Sequence, residues 1–205
     1  MSEQKNVENA HLIKKAQEGD KEAFNQIFRR EQRYVFNFMY QLTGDKAKAD
    51  DLTQEAFIAA YRKISSFRFE AGFRTWLCKI AINLFKVEWR RKPKHVSICL
   101  EKIKVTATED QPERIIIKRE MQWCIAHTLQ QHIPKKYRMV LVLRDLHHMS
   151  YKEIADVLDW NMGRVKTGLH RGRQIFKNHF INGKCKAFAA HDNLCTCEGI
   201  KEYEL

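Results

Sequence analysis

The stretch from Ser150 to Phe180, SYKEIADVLDWNMGRVKTGLHRGRQIFKNHF, limits what this chain can become more than any other. Ser150 and Glu153 form an S-x-x-E capping box, in which each side chain can satisfy the other's backbone amide at a helix start. Tyr151, Ile154, Ala155 and Leu158 then fall at i, i+3, i+4 and i+7, so the spacing predicts a short amphipathic helix. Asp159, Trp160 and Asn161 interrupt it, and Gly163 stands at the start of a second helix. There Val165, Leu169, Gly172 and Phe176 make the inner stripe. Arg164, Thr167, Arg171 and Gln174 project from the opposite side, flanked by Lys166, His170 and Arg173. Two packed helices joined by a tight turn, the second bearing Arg, Lys, Thr and Gln outward, describe a helix-turn-helix suited to a major groove. An ordinary solvated helix pair can give the same pattern, because such signatures are degenerate.

A chain of 205 residues makes one domain or two small ones. The formal net charge of +12 and pI near 9.5 point to a polyanionic partner, nucleic acid before membrane. No run approaches the roughly 20 apolar residues that a membrane span needs. The N-terminal MSEQKNVENAHLIKKAQEGD has neither the apolar core nor the cleavage site of a signal peptide. A cytoplasmic setting is therefore expected, with the six cysteines as thiols or metal ligands rather than disulfides. Three prolines, eight glycines and no alternating β-branched runs predict an all-α fold.

Taken in order, residues 10–18 read as a short helix with His11, Leu12 and Ala16 as weak periodic contacts. Asp20 caps the next helix, whose stripe runs from Ala23, Phe24, Ile27 and Phe28 to Leu42, ending at Gly44. Asp50–Ser65 is a third, with Leu52, Ala56, Phe57, Ala60 and Ile64 inward and Asp51, Gln54, Glu55 and Arg62 outward. The loop Ser66–Gly72 leads into a long helix, Phe73–Arg91, with Trp76, Leu77, Ile80, Ala81, Leu84 and Phe85 inward. Residues 92–112 carry a proline near each end, mixed charge and no sustained period, which suits an interdomain linker. A second helical set starts near Glu113, and a helix over Lys135–Leu146 leads into the capping box past His147 and His148, read as a solvated connector. The divisions are thus a helical domain at 10–91, a flexible linker at 92–112, a second small helical domain at 113–182 and a cysteine-bearing tail at 183–205. Nucleophile–base pairs, phosphate-cradling glycine loops and catalytic carboxylate pairs are missing from the sequence, so no enzyme is indicated.

Two blocks resemble a known family. FRTWLCKIAINLFKVEWRR resembles conserved region 2 of bacterial sigma factors of the extracytoplasmic-function (ECF) group, and DDLTQEAFIAAYRKI resembles that group's polymerase-binding helix. IPKKYRMVLVLRDLHHMSYKEIADVLDWNMGRVKTGLHRGR resembles region 4, which binds the −35 element. The resemblance spans roughly residues 10–180. It implies a non-catalytic specificity subunit that binds core RNA polymerase and directs promoter recognition, DNA opening and transcription initiation. No cofactor is required, and an anti-sigma factor is a further possible partner.

By that resemblance Asp51, Gln54, Glu55 and Phe57 match the face that docks on the polymerase clamp. Without it, Asp51 is a helix-dipole complement and Phe57 is core. The −10 set is Phe67, Arg68, Phe69, Arg74, Lys79, Asn83, Arg90 and Arg91, with the loop Phe67–Gly72 implied to accept a flipped base. Cations interleaved with aromatics suit that work, since unpaired bases stack on rings and phosphates need cations. Trp76 is read as core, and Arg90 and Arg91 as phosphate contacts. Ile82 and Val87 replace an arginine and an aspartate common in the family. The −35 set is Arg164, Lys166, Thr167, Arg171, Arg173 and Gln174, with arginine suited to guanine and glutamine to adenine. The family often has threonine or serine in place of Arg164. Lys166, Arg173 and Lys177 are read as phosphate contacts.

In the tail, Cys185, His191, Cys195 and Cys197 could supply four ligands to zinc or another soft metal; free thiols or a redox pair are the alternatives. Cys78, Cys99 and Cys124 are scattered and read as buried or incidental thiols. A conventional helix-turn-helix regulator and a metal- or redox-sensing DNA-binding protein are the competing functions. The first leaves the 50–91 block unexplained.

Overall fold

The structure is a computed structural model that describes residues 2–91 and 124–180, with side chains described at 10–90 and 124–179. The expected linker at 92–112, the domain start at Glu113 and the tail ligands Cys185, His191, Cys195 and Cys197 lie outside the described residues. Every regular element among the described residues is helical.

The first four helices are α1 (Ser2–Gln17), α2 (Lys21–Thr43), α3 (Lys46–Lys63) and α4 (Phe73–Arg91), with one 3₁₀ turn at Ile64–Ser66. Asp20 caps α2 as expected, its Oδ1 accepting from the amides of Glu22 at 2.9 Å and Ala23 at 3.1 Å. Gly44, in the left-handed region at φ 69°, closes α2 with its amide on Tyr40 O at 2.8 Å. The next cap is Asp45, whose Oδ1 accepts from Lys48 N at 3.1 Å. Helix α3 therefore starts well before Asp50, and Asp50 and Asp51 sit inside it rather than at its mouth. Helix α1 likewise begins earlier than the weak period at 10–18 indicated.

The inward stripes meet in a close-packed interior. Val35, Phe38, Met39, Leu42, Ala56, Leu77, Ala81 and Ile82 are all buried there. Each large apolar side chain so buried contributes about 1.5–3 kcal/mol.

The second set is α5 (described over 124–132), α6 (Lys135–Leu141), α7 (Tyr151–Leu158) and α8 (Met162–Phe180). The predicted helix over Lys135–Leu146 is not uniform: it widens into a π turn at Val142–Leu146, where His147 N reaches Val142 O at 3.1 Å. Helix α8 lies close on α6 because Gly168 and Gly172 face it. A Cβ at Gly172 would stand 3.1 Å from the Leu141 side chain and 3.3 Å from Tyr137, so only glycine fits without movement.

The two helical sets pack on each other, and their buried residues form one continuous cluster. At one edge, region 124–146 covers the C-terminal end of α2, whose last carbonyls have no partner within the helix. Gln130 Nε2 donates to Gln41 O at 2.5 Å and Arg138 Nη1 to Leu42 O at 2.9 Å. Arg138 is buried, donating also to Gln130 O, Gln130 Oε1 and Ile133 O, and burial pulls its guanidinium down to about 10. At the other edge α7 packs on α4. His147, expected to be solvated, is instead half-buried against Tyr34 and Phe38, with Nε2 2.8 Å from Gln41 Oε1. Burial, then the nearby charges of His148 and Arg74, push its pKa down to about 4. The rings of Tyr34 and Phe38 on α2 hold it there, contacts that the connector sequence alone does not reveal.

Candidate nucleic-acid interface

The helix-turn-helix is assembled as its sequence requires. Ser150 N donates to Glu153 Oε2 at 2.8 Å, and Glu153 N donates to Ser150 Oγ at 3.2 Å. Asp159 ends α7 in the left-handed region at φ 56°, a conformation that Asp tolerates better than most residues. Asn161 is more than an interruption: its Oδ1 accepts from Arg164 N at 2.8 Å and so caps α8.

Val165, Gly168, Leu169 and Gly172 form the buried side of α8, leaving Arg164, Lys166, Thr167, Arg171 and Gln174 exposed. Arg164 lies 4.2 Å over the Trp160 ring, and the Tyr137 hydroxyl is held below its ordinary pKa by a hydrogen bond from Arg171. Arg173, read as a phosphate contact, pairs with a carboxylate of the protein itself. Its Nη2 meets Asp145 Oδ1 at 2.5 Å and its Nε meets Asp145 Oδ2 at 3.3 Å, which commits it to bracing α8 on the π turn.

The other cationic surface is built from α4 and the loop before it. Phe67, Phe73 and Trp76 form an aromatic pile beneath Phe69, with ring centroids of Phe67 at 4.8 Å from Phe69, 5.6 Å from Phe73 and 5.2 Å from Trp76. Phe67 is buried, whereas Phe69 is 42 % exposed. Of the two, only Phe69 offers a ring face to an incoming base. Phe69 also holds φ 59°, a strained value for a bulky aromatic, and such strain persists only where surroundings impose it. The start of this loop is held by Gln17, whose Nε2 donates to Ile64 O at 3.0 Å and Phe67 O at 2.7 Å. Gln17 was not singled out from sequence, because its partners are backbone atoms some fifty positions away.

On α4, Arg74 Nε meets Glu31 Oε2 at 2.6 Å with the guanidinium 4.7 Å over Tyr34. Glu31 is buried on α2, so this pair ties the start of α4 to the bundle. Lys79 Nζ meets Asp159 Oδ1 at 2.6 Å, Lys86 Nζ donates to Leu158 O at 3.2 Å, and Thr75 Oγ1 donates to Glu153 Oε1 at 3.0 Å. Arg68, Asn83 and Arg90 are exposed, and the side chain of Arg91 lies outside the described residues.

A third surface runs along α3. Asp51, Gln54 and Glu55 are exposed together. Phe57 is not with them: it is 3 % exposed and packs edge-on against Phe28 at 4.8 Å. The exposed apolar groups on this helix are Ile58 and Tyr61.

Among the described residues, no group of three His, Cys, Asp or Glu side chains is placed to hold a metal ion. Nor is any helix there long and apolar enough to cross a membrane. Cys78 and Cys124 are buried, and burial drives the Cys78 pKa up to about 12, which leaves it unreactive.

A helix-turn-helix with an open cationic face, beside a helix and loop that join exposed cations to a strained aromatic, is the build of a DNA-binding protein. Family comparison agrees. Residues 27–94 match sigma-70 region 2, and residues 125–175 match sigma-70 region 4. The chain is 33% identical over 181 residues to the ECF RNA polymerase sigma-E factor of Escherichia coli, covering 82% of this chain and 91% of that protein. It is 33% identical over 177 residues to the ECF RNA polymerase sigma factor SigW of Bacillus subtilis, covering 80% and 92%. In fold it is similar to CnrH, solved in complex with the cytosolic domain of CnrY, at a TM-score of 0.63 and 22% identity over 86% of this chain and 99% of that one. A similar likeness holds for the sigma factor RpoE of Bartonella quintana, solved with the anti-sigma factor NepR, at a TM-score of 0.63 and 18% identity over 78% and 97%. The chain belongs to the ECF group of the sigma-70 family. It is thus a non-catalytic subunit of RNA polymerase that acts in transcription initiation.

Proposed function

We propose that the loop before α4, together with Lys79, Asn83 and Arg90, receives the −10 element as single strand, while the outer face of α8 reads the −35 element as duplex. The observation that carries this division is the difference in furniture between the two faces. The first combines the exposed ring of Phe69 with cations, the chemistry of a stacking platform for unpaired bases. The second offers Arg164, Lys166, Thr167, Arg171 and Gln174 on one exposed helix side, the chemistry of base-edge and phosphate contacts in a major groove. Asp51, Gln54 and Glu55 on α3 form the polymerase-facing patch, with Ile58 in the place first given to Phe57.

Functional boundaries of 10–91, 113–182 and 183–205 follow, with 92–112 as connector. The protein works in the cytoplasm, where polymerase and promoter meet. An anti-sigma factor is among its partners, in keeping with relatives of the same fold solved with such partners. The tail ligands Cys185, His191, Cys195 and Cys197 bind zinc or a similar soft metal.

Reconstitution with core RNA polymerase and a promoter library tests the main reading: start-site-specific transcripts are expected. Sequence-specific duplex binding by the protein alone, with no transcript from any promoter, would overturn it in favour of a conventional regulator. Metal content of the intact protein against a Cys195→Ser/Cys197→Ser variant tests the tail, and equal content removes the metal from the account.

A further inference from the structure

The turn between α7 and α8 places an aromatic ring beneath an arginine of the outer α8 face. Trp160 sits in that turn with its backbone fixed, its amide donating to Ala155 O at 3.0 Å. Its ring is half-buried against the core and lies across α8 at Gly168, where an added Cβ would stand 3.3 Å from Trp160 Cζ3. Glycine at that position makes room for the indole. One turn earlier on the same helix, Arg164 lays its guanidinium over the ring, 4.2 Å from the centroid. Its backbone is held as well, the amide donating to Asn161 Oδ1 at 2.8 Å. Two adjacent residues of the turn thus fix one arginine, by side chain and by main chain.

The charge of Arg164 stays uncommitted. Asp159, the acid of the turn, is 2.6 Å from Lys79 Nζ, and among the described residues no carboxylate pairs with Arg164. Arg164 also replaces the threonine or serine that the family often has, so the resemblance does not say which base it meets.

Stacking uses the flat face of a guanidinium and leaves its in-plane fork of N–H donors free. In a major groove that fork matches guanine, whose O6 and N7 accept both bonds of a bidentate pair, whereas adenine sets a donor beside its acceptor. A phosphate also accepts a fork, yet it carries no sequence information and gains little from an arginine fixed in one orientation. Position agrees with the base. Arg164 is the third residue of α8, and the N-terminal residues of a recognition helix are those that meet base edges.

We infer that Trp160 is a specificity-determining residue, a positioning group that presets Arg164 to read one guanine of the −35 duplex. This rests on the proposed −35 role of α8. Trp160 acts through Arg164, by limiting where the fork can point.

Holoenzyme reconstituted from the full chain and core RNA polymerase, given promoters randomised over the −35 element, tests this through the base preferences of the promoters it selects. Wild type is expected to favour guanine at one position by about tenfold. Arg164→Ala and Arg164→Lys should both lose that preference, the lysine keeping the charge without the fork. Trp160→Leu still fills the space against Gly168 but has no ring face, and should reduce the preference to about threefold or less. Trp160→Phe should keep most of it. Preferences at the other −35 positions should stay as in wild type, a result that a merely structural role for Trp160 would not give. Circular dichroism checks the fold of each variant, and if Trp160→Leu loses helix, Trp160→Met takes its place. Full guanine preference in the folded Trp160 variant, an equal loss at every position, or a preference unmoved by Arg164→Ala overturns the inference. Failure of the underlying −35 reading looks different: Arg171→Ala, too, would leave every −35 preference unchanged.

Discussion

The two DNA-facing helices carry similar cations in opposite circumstances. On α4, Arg74, Lys79 and Lys86 each have an acidic or carbonyl partner, two of them supplied by the neighbouring unit. On α8, Arg164, Lys166, Arg171 and Gln174 stand outward, and Arg173 is the member of the set drawn to a carboxylate. A helix proposed to read closed duplex can be kept ready, since its face needs only a groove. The helix proposed to meet unpaired strand keeps Asn83 and Arg90 exposed, while its Lys79 and Lys86 lie against the neighbouring unit. The difference lies in what each helix packs against rather than in its own charge.

Variants can press on this contrast, beginning where the effect is largest. Phe38→Ala removes a fully buried ring that supports both the α2 core and His147, and should cost about 3–5 kcal/mol. Thermal unfolding followed separately in the two units should fall in both, because they share that edge. Gly172→Val forces a side chain into Leu141 and should cost about 1–3 kcal/mol, read as loss of protection in α6 and α8 by hydrogen exchange. Arg171→Ala should remove about 1–3 kcal/mol of discrimination at one base pair of a selected −35 duplex. Lys166→Ala should instead weaken binding to all sequences and lower the salt slope by about 1.

Acidification gives a subtler test. His147 has its pKa lowered to about 4 in the packed molecule, against an ordinary 6.5, with Tyr34, Phe38 and Gln41 of α2 around it and Arg74 and His148 as nearby charges. The separated or unfolded form then binds the extra proton, so the packed form loses stability as pH falls from about 6.5 toward 4. His147→Gln should flatten that part of the pH–stability profile. Smallest of all, removing the exposed Lys79–Asp159 pair should change global stability by less than about 1 kcal/mol.

Much of the helical plan was legible because it rests on local chemistry. Asp20, Gly44 and the Ser150–Glu153 box mark ends by hydrogen bonds within a few residues, and the inner stripe of α8 follows from the helix period. Boundaries slipped where a nearer cap competed, as Asp45 does with Asp50. Phe57 lies inward against Phe28, as the stripe of its helix predicts. The pairing of Arg173 with Asp145 and the burial of His147 against α2 depend on distant partners, and no periodicity within one helix reports such company. Phe67 and Phe69 are alternate residues of one loop, yet a single positive φ buries the first and offers the second.

Gly168 and Gly172 have a meaning for the history of the protein as well as its packing. By letting α6 rest almost on the backbone of α8, they fix the angle at which that helix is turned about its own axis. The outward positions are therefore settled independently of what occupies them. If these positions read the −35 element as proposed, mutation can exchange Arg164 or Gln174 and alter which promoters are favoured, while the aim of the helix stays put. A reader built this way can acquire a new vocabulary one letter at a time, without first learning to hold the page.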